Sequence, residues 1–178
     1  MATRNFREML EAKWAEGKFV CVGLDSEFKK LPVHLTKPGY CRSDATSFFN
    51  NDIVNHTSDL VCAYKPNAAF YEDDLEGWKA LQRIVEHIKK VASDVPIILD
   101  AKRADIGNTN TGYVRMAFES IGVDAITVHP YLGGEALKPF LDQKDKGIIV
   151  LCRTSNPGAG EFQDLDVRVP ATEVDFLL

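Results

Sequence analysis

Five short aliphatic runs recur along the chain, and none of them alternates with polar residues. They read "FVCVGL" (19–24), "LVCAY" (60–64), "PIILD" (96–100), "DAITVH" (124–129) and "GIIVLC" (147–152). A strand with one wet face alternates, whereas a short continuous apolar run fits a strand buried on both faces. Helical patterns separate the runs: "ATSFFNNDIVNHTSDL", "DDLEGWKALQRIVEHIKKVASD", "NTNTGYVRMAFESIG" and "GGEALKPFLDQKDK". In the second, Leu75, Trp78, Leu81, Ile84, Val85 and Ile88 share one face, with charges opposite. An opening helix is expected over "NFREMLEAKWAEG". Strand and helix alternate, so the sheet is expected to be parallel, in an α/β fold.

Parallel strands form either an open doubly wound sheet or a closed eight-stranded barrel, and the two place chemistry differently. A dinucleotide-binding open sheet would carry G-x-G-x-x-G after its first strand, but that turn reads "GLDSEFKKLP", and no P-loop is present. In a (β/α)8 barrel, function gathers at the C-terminal ends of several strands. Here each run ends on polar residues: Asp25, then Lys65, then Asp100 and Lys102, then His129, then Thr154 and Ser155. This convergence favours the barrel.

The 178 residues, 45% hydrophobic and 26% charged, suffice for one core and a single domain spanning 1–178. A formal net charge of −5 offers no basic footprint for nucleic acid and no polybasic patch for a membrane. With no apolar run of signal-peptide or membrane-span length in the sequence, the chain is expected to be soluble and cytoplasmic. Of the four cysteines, Cys21, Cys62 and Cys152 lie in aliphatic runs like small core residues, and with Cys41 they form no C-x-x-C pair.

The third run ends in "IILDAKRADIG", where a core strand has no use for charges. On an extended chain Asp100 and Lys102 point to one side, and Asp105 lies beyond the strand end. An anion, cation, anion array can set up a lysine as a proton donor. It can also be a structural ion-pair cluster. Lys65, arriving at the same mouth from the neighbouring strand, favours the chemical reading.

"LDAKRADIGNT" closely resembles the D-x-K-x-x-D-I-x-x-T signature of the orotidine 5'-phosphate decarboxylase family. "VGLDSE", "AYKPNAAFYE", "VHPYLGGEALKPF" and "LCRTSNPGAGEFQDL" are also similar to that family, the last to its longer bacterial and archaeal branch. The resemblance runs from about residue 18 to the end. It implies conversion of orotidine 5'-phosphate to UMP and carbon dioxide in pyrimidine biosynthesis, without metal or organic cofactor. By this resemblance Lys102 protonates C6 of the pyrimidine, Asp100 sits near the departing carboxylate, and Lys65 completes an alternating charge network. Asp105 and Ile106 reach the site from the other subunit of a homodimer. Asp25 and Thr109 hold ribose hydroxyls, and Ser155 hydrogen-bonds the ring.

Blander roles stand beside these. Asp25 can cap a turn, and Ser155 belongs to the turn sequence Ser-Asn-Pro-Gly. His129 reads as a hydrogen-bonded structural histidine, and Arg103 and Arg115 as surface or interface charges. Related sugar-phosphate decarboxylases share D-x-K-x-x-D but use magnesium, which takes oxygen ligands. They place a glutamate where this chain has Lys65, which would repel a divalent cation. About five of the eight strand-helix units are accounted for, so the barrel is expected to be incomplete at its C-terminal side, where the family's phosphate-gripping loops lie. A noncatalytic barrel fragment serving as a binding or assembly partner is the alternative. "VPATEVDFLL" reads as the opening of a further helix.

Overall fold

The structure, a computed structural model, describes residues 4–166; the helix expected over "VPATEVDFLL" lies outside them. Five strands, β1 (Val20–Gly23), β2 (Val61–Lys65), β3 (Ile98–Arg103), β4 (Ala125–Val128) and β5 (Gly147–Val150), follow the five aliphatic runs closely. β1 pairs with β2, β3 with β4 and β4 with β5, all in parallel. The bridges Tyr64↔Ile97 and Asn67↔Asp100 join the two groups. The strands therefore stand in chain order, as in the wall of a β/α barrel, each beside its predecessor. Among the described residues they make five of the barrel's strands.

Among the described residues six α-helices, α1 (Phe6–Ala15), α2 (Arg42–Thr57), α3 (Leu75–Val91), α4 (Gly107–Val114), α5 (Gly133–Leu141) and α6 (Gly160–Gln163), accompany the strands. α3 shows how the sequence sets one of them. The Asp74 side chain caps its start by accepting the Gly77 N–H at 2.7 Å. Leu81, Ile84, Val85 and Ile88 are buried in the main core beside Tyr64, Ile97 and Leu99, and each such side chain contributes about 2 kcal/mol by leaving water. Leu75, expected on that face, is 77% exposed instead. It occupies the first position of the helix.

The helix expected over 108–122 starts one residue earlier and changes pitch halfway. α4 continues into a π-helical stretch over Arg115–Ile121, which stops at Gly122 in the left-handed conformation with φ 80°. Glycine adopts that conformation without the clash a Cβ would bring.

α1 lies under the strands. Phe6 and Leu10 pack on Cys62, Ala63, Ile98 and Ala125. Arg4 secures this arrangement by donating from Nε to Asp124 Oδ1 at 2.8 Å and from Nη2 to Oδ2 at 2.7 Å. Asp124 is 1% exposed and also accepts the Ile97 N–H at 2.9 Å.

Of the cysteines expected in the core, only Cys62 is buried; Cys21 and Cys152 are exposed. The reason lies in the sheet order. Among the described residues β1 and β5 each have a neighbour on one side only. Cys21 on β1, and Cys152 just beyond β5, consequently lack the cover that inner strands receive.

Replacing Asp124 with Ala leaves the Arg4 guanidinium and the Ile97 N–H without their shared acceptor. We expect a loss of about 3 kcal/mol, read as a lower urea midpoint at unchanged slope.

Candidate active site

The charged residues at the C-terminal strand ends converge on one carboxylate. Asp100 Oδ1 accepts from Lys102 Nζ at 2.7 Å, and Asp100 Oδ2 accepts from Lys65 Nζ at 3.4 Å. The Asp100 side chain is 13% exposed, against 34% for Lys65 and 48% for Lys102. A carboxylate is thus sunk between two ammonium groups whose heads stay open to solvent. Burial raises the Asp100 pKa, but hydrogen bonds from Lys102 and Thr127, with the charges of Lys102 and Lys65, hold it below the ordinary value.

The backbone delivering these groups differs from the extended strand expected. β3 continues through Asp100 and Lys102 to Arg103, so the charges lie inside the strand. Regular pairing with β4 lapses between Leu99 and Arg103, and Lys102 has a left-handed φ of 48°. Asp100 and Lys102 do face one side, as their 2.7 Å contact shows, but a bulge rather than regular alternation brings them together.

Neighbouring positions complete the mouth. Asp25, exposed at the end of β1, accepts the Asn67 N–H through Oδ1 at 3.0 Å. This is the turn-capping contact that the sequence left open, and it ties the loops after β1 and β2 together. Asn67 in turn bridges Asp100. Thr127 was not singled out from the sequence, where it is one residue of an apolar run. Its hydroxyl donates to Asp100 Oδ1 at 2.8 Å.

The other predicted residues stand apart from this cluster. The backbone of Asp105 is clamped by Asn110, whose Oδ1 accepts the Asp105 N–H at 2.8 Å and whose Nδ2 donates to the Asp105 carbonyl at 2.6 Å. Asn110 is fully buried and reaches the Ala136 carbonyl on α5 as well. Its position three residues before Tyr113 gave no sequence signal beyond helix-forming context. The Asp105 carboxylate makes no ion pair with Lys102 among the described residues; its Oδ1 accepts the Ile106 N–H at 2.6 Å. Ile106 is 61% exposed. Thr109 lines a groove of about 390 Å3 with Glu72, Arg103 and Tyr113. Ser155 is exposed in the loop after β5.

Arg103 is more enclosed than a surface charge. It pairs with Glu72, and its guanidinium carbon lies 5.5 Å from the centre of the Tyr113 ring. His129 also departs from expectation. Its Nδ1 is buried without a hydrogen-bond partner among the described residues. It lines a cleft of about 290 Å3 with Tyr131, Leu151 and Phe162.

Fold and site together define a β/α-barrel chain with a fixed array of charges where the strands end. Residues 18–175 match the family described as orotidine 5'-phosphate decarboxylase / HUMPS, and the chain belongs to that family. An orotidine 5'-phosphate decarboxylase of Thermomicrobium roseum is 44% identical over 92% of this chain and 56% of its own length. One of Herpetosiphon aurantiacus is 48% identical over 82% of this chain and 52% of its own. The chain thus spans about half the length of the curated relatives it matches. Among solved structures, a UMP synthase of Leishmania donovani superposes with a TM-score of 0.81 at 36% identity, covering 93% of this chain and 34% of that one. An OMP decarboxylase of the same organism gives 0.78 at 35%, covering 92% and 59%.

Two outcomes follow from the cluster. The left-handed backbone at Lys102 strains any residue with a Cβ, so Lys102→Gly should be more stable than Lys102→Ala by about 1 kcal/mol, measured by urea unfolding. The lowered Asp100 pKa means that its ionised form favours the folded state. That contribution is present above the ordinary value of 3.8 and is lost as pH falls through the lower folded value. The stability gap between wild type and Asp100→Asn should therefore close on acidification, read from urea midpoints taken at descending pH.

Proposed function

We propose that this chain carries the reacting centre of an orotidine 5'-phosphate decarboxylase, forming UMP and carbon dioxide in the cytoplasm without a metal ion. The observation that carries this reading is the array of Lys65, Asp100 and Lys102, built from two adjacent strands and held by direct contacts. Asp100 and Lys102 belong to the D-x-K-x-x-D-I-x-x-T signature, and the family match supports the substrate class.

Decarboxylation at C6 leaves an electron pair on a ring carbon with no adjacent sink. Fixed positive charge must meet that pair, and a proton must follow. Lys102 fits both demands, with an ammonium that is half exposed and pinned by Asp100. As the C–C bond breaks, carbon dioxide departs, and the Lys102 proton passes to C6. Asp100, in contact with both ammonium groups, holds Lys102 in place until then. The Asp100 charge lies where it would oppose a substrate carboxylate. Lys65 also opposes the magnesium-dependent alternative, because it sets an ammonium where a divalent cation requires oxygen ligands.

The separation of Asp105 from Lys102 within one chain favours delivery of Asp105 and Ile106 to the partner site of a homodimer. Asp25 and Thr109 are assigned to ribose hydroxyls, and Ser155 to the ring. In this reading the exposure of Ile106 and Ser155 is the exposure of groups awaiting substrate or partner.

The test follows the fall in absorbance as orotidine 5'-phosphate becomes UMP. The full chain should turn over, Lys102→Ala should lose about 10³-fold or more, and activity per chain should drop on dilution as the dimer dissociates. Undiminished turnover in Lys102→Ala would overturn the assignment, and no turnover by wild type would overturn decarboxylation by these 178 residues.

A further inference from the structure

Strands β3 and β4 run in step at Ile98↔Ala125 and Leu99↔Ile126, but the next aligned pair is Arg103↔Val128. The stretch Asp100–Lys102 therefore lies opposite the single residue Thr127, a bulge that interrupts the ladder where the charged side chains must be aimed. Such a bulge leaves backbone groups to be satisfied in another way. Lys102, at φ 48°, occupies a conformation that residues with a Cβ rarely adopt, so something must hold it there.

Thr127 meets both needs with one hydroxyl. Its side chain is 6% exposed, in the polar middle of an otherwise apolar strand. Oγ1 accepts the Lys102 backbone N–H at 2.9 Å and donates its own proton to Asp100 Oδ1 at 2.8 Å. The same Asp100 oxygen accepts from Lys102 Nζ at 2.7 Å. A closed circuit results: Lys102 is gripped at its backbone through Thr127 and at its ammonium through Asp100, and Thr127 links the two grips. A threonine hydroxyl has a donor and acceptor capacity suited to this role.

We propose that Thr127 is a positioning residue for the reacting pair, fixing the bulge that presents Lys102 and orienting the carboxylate that pins its ammonium. This rests on reading Lys102 as the proton donor. A purely packing role for Thr127 would need only its shape, which valine reproduces. The positioning role needs the hydroxyl, which serine retains.

The experiment compares wild type, Thr127→Val and Thr127→Ser in the full chain, with three readouts. Amide hydrogen exchange at Lys102 should quicken about tenfold in Thr127→Val, as expected for one lost hydrogen bond. The Asp100 carboxyl, followed by NMR, should titrate at higher pH in Thr127→Val. The charges facing it, Lys65 and Lys102, and Asp25 on the adjoining loop, are the same in all three proteins. With orotidine 5'-phosphate, kcat should fall about 100-fold while KM stays within about threefold, since misplacement harms reaction more than binding. Thr127→Ser should restore all three toward wild type. Unchanged exchange and titration in Thr127→Val, or a serine variant that fails to restore them, would overturn the proposal. If wild type shows no turnover, the decarboxylase reading fails on its own, and exchange and titration still decide whether Thr127 positions the pair.

Discussion

A carboxylate cannot be taken out of water cheaply. An unpaired one costs several kcal/mol even after the protein relaxes around it. Asp100 is tolerated at 13% exposure because two strands deliver an ammonium to each of its oxygens. Much of the C-terminal face is arranged to permit this. Lys65 must end β2 beside β3, which fixes the strand order. Lys102 must double back two residues after Asp100, which demands the bulge, and Asn67 and Pro66 hold the adjoining backbone, with Asp100 N–H donating to the Pro66 carbonyl at 2.9 Å. The site is therefore a solution to a solvation problem as much as a set of reagents.

The arrangement concentrates cost where chemistry is wanted. A left-handed lysine, an interrupted ladder and a sunken carboxylate are each unfavourable alone, and each is sustained by the others. Well-packed surroundings bear this local strain: Leu99 and Ala101, on either side of Asp100 in the chain, are buried in the main core. Strain at functional positions persists only where the neighbouring structure overdetermines it.

The parallel architecture was legible in the sequence because burial on both faces leaves unbroken aliphatic runs, and each run became a strand. The identity of the central charges was legible too, since "LDAKRAD" puts four ionisable residues where a core strand should simply end. Their geometry was not. The alternation rule assumes a regular ladder, and no residue type announces a bulge at a lysine. Thr127 was hidden for a related reason: threonine is at home in any strand, and only the partner across the sheet shows that its hydroxyl has work. Leu75, Cys21 and Cys152 fit their apolar patterns, but burial depends on what lies across from a residue, and pattern alone does not contain that. His129 joins them, because the missing partner of its Nδ1 is a property of the surroundings.

The chain-order stacking of the strands has a bearing on how the molecule assembles. Each strand pairs with the one made just before it, so the loop closed at each step is a single helix and its connections, a modest entropic demand. Units can therefore dock one by one as synthesis proceeds. The first helix breaks that order. The Phe6 N–H donates to the Asp145 carbonyl at 2.9 Å, and Arg4 waits for Asp124. This segment meets β2 and β3 through Phe6 and Leu10, but it completes its contacts only once the residues leading into β4 and β5 exist. It acts as a latch on the floor of the sheet, joining the second and third strands to the residues that lead into the fourth and fifth.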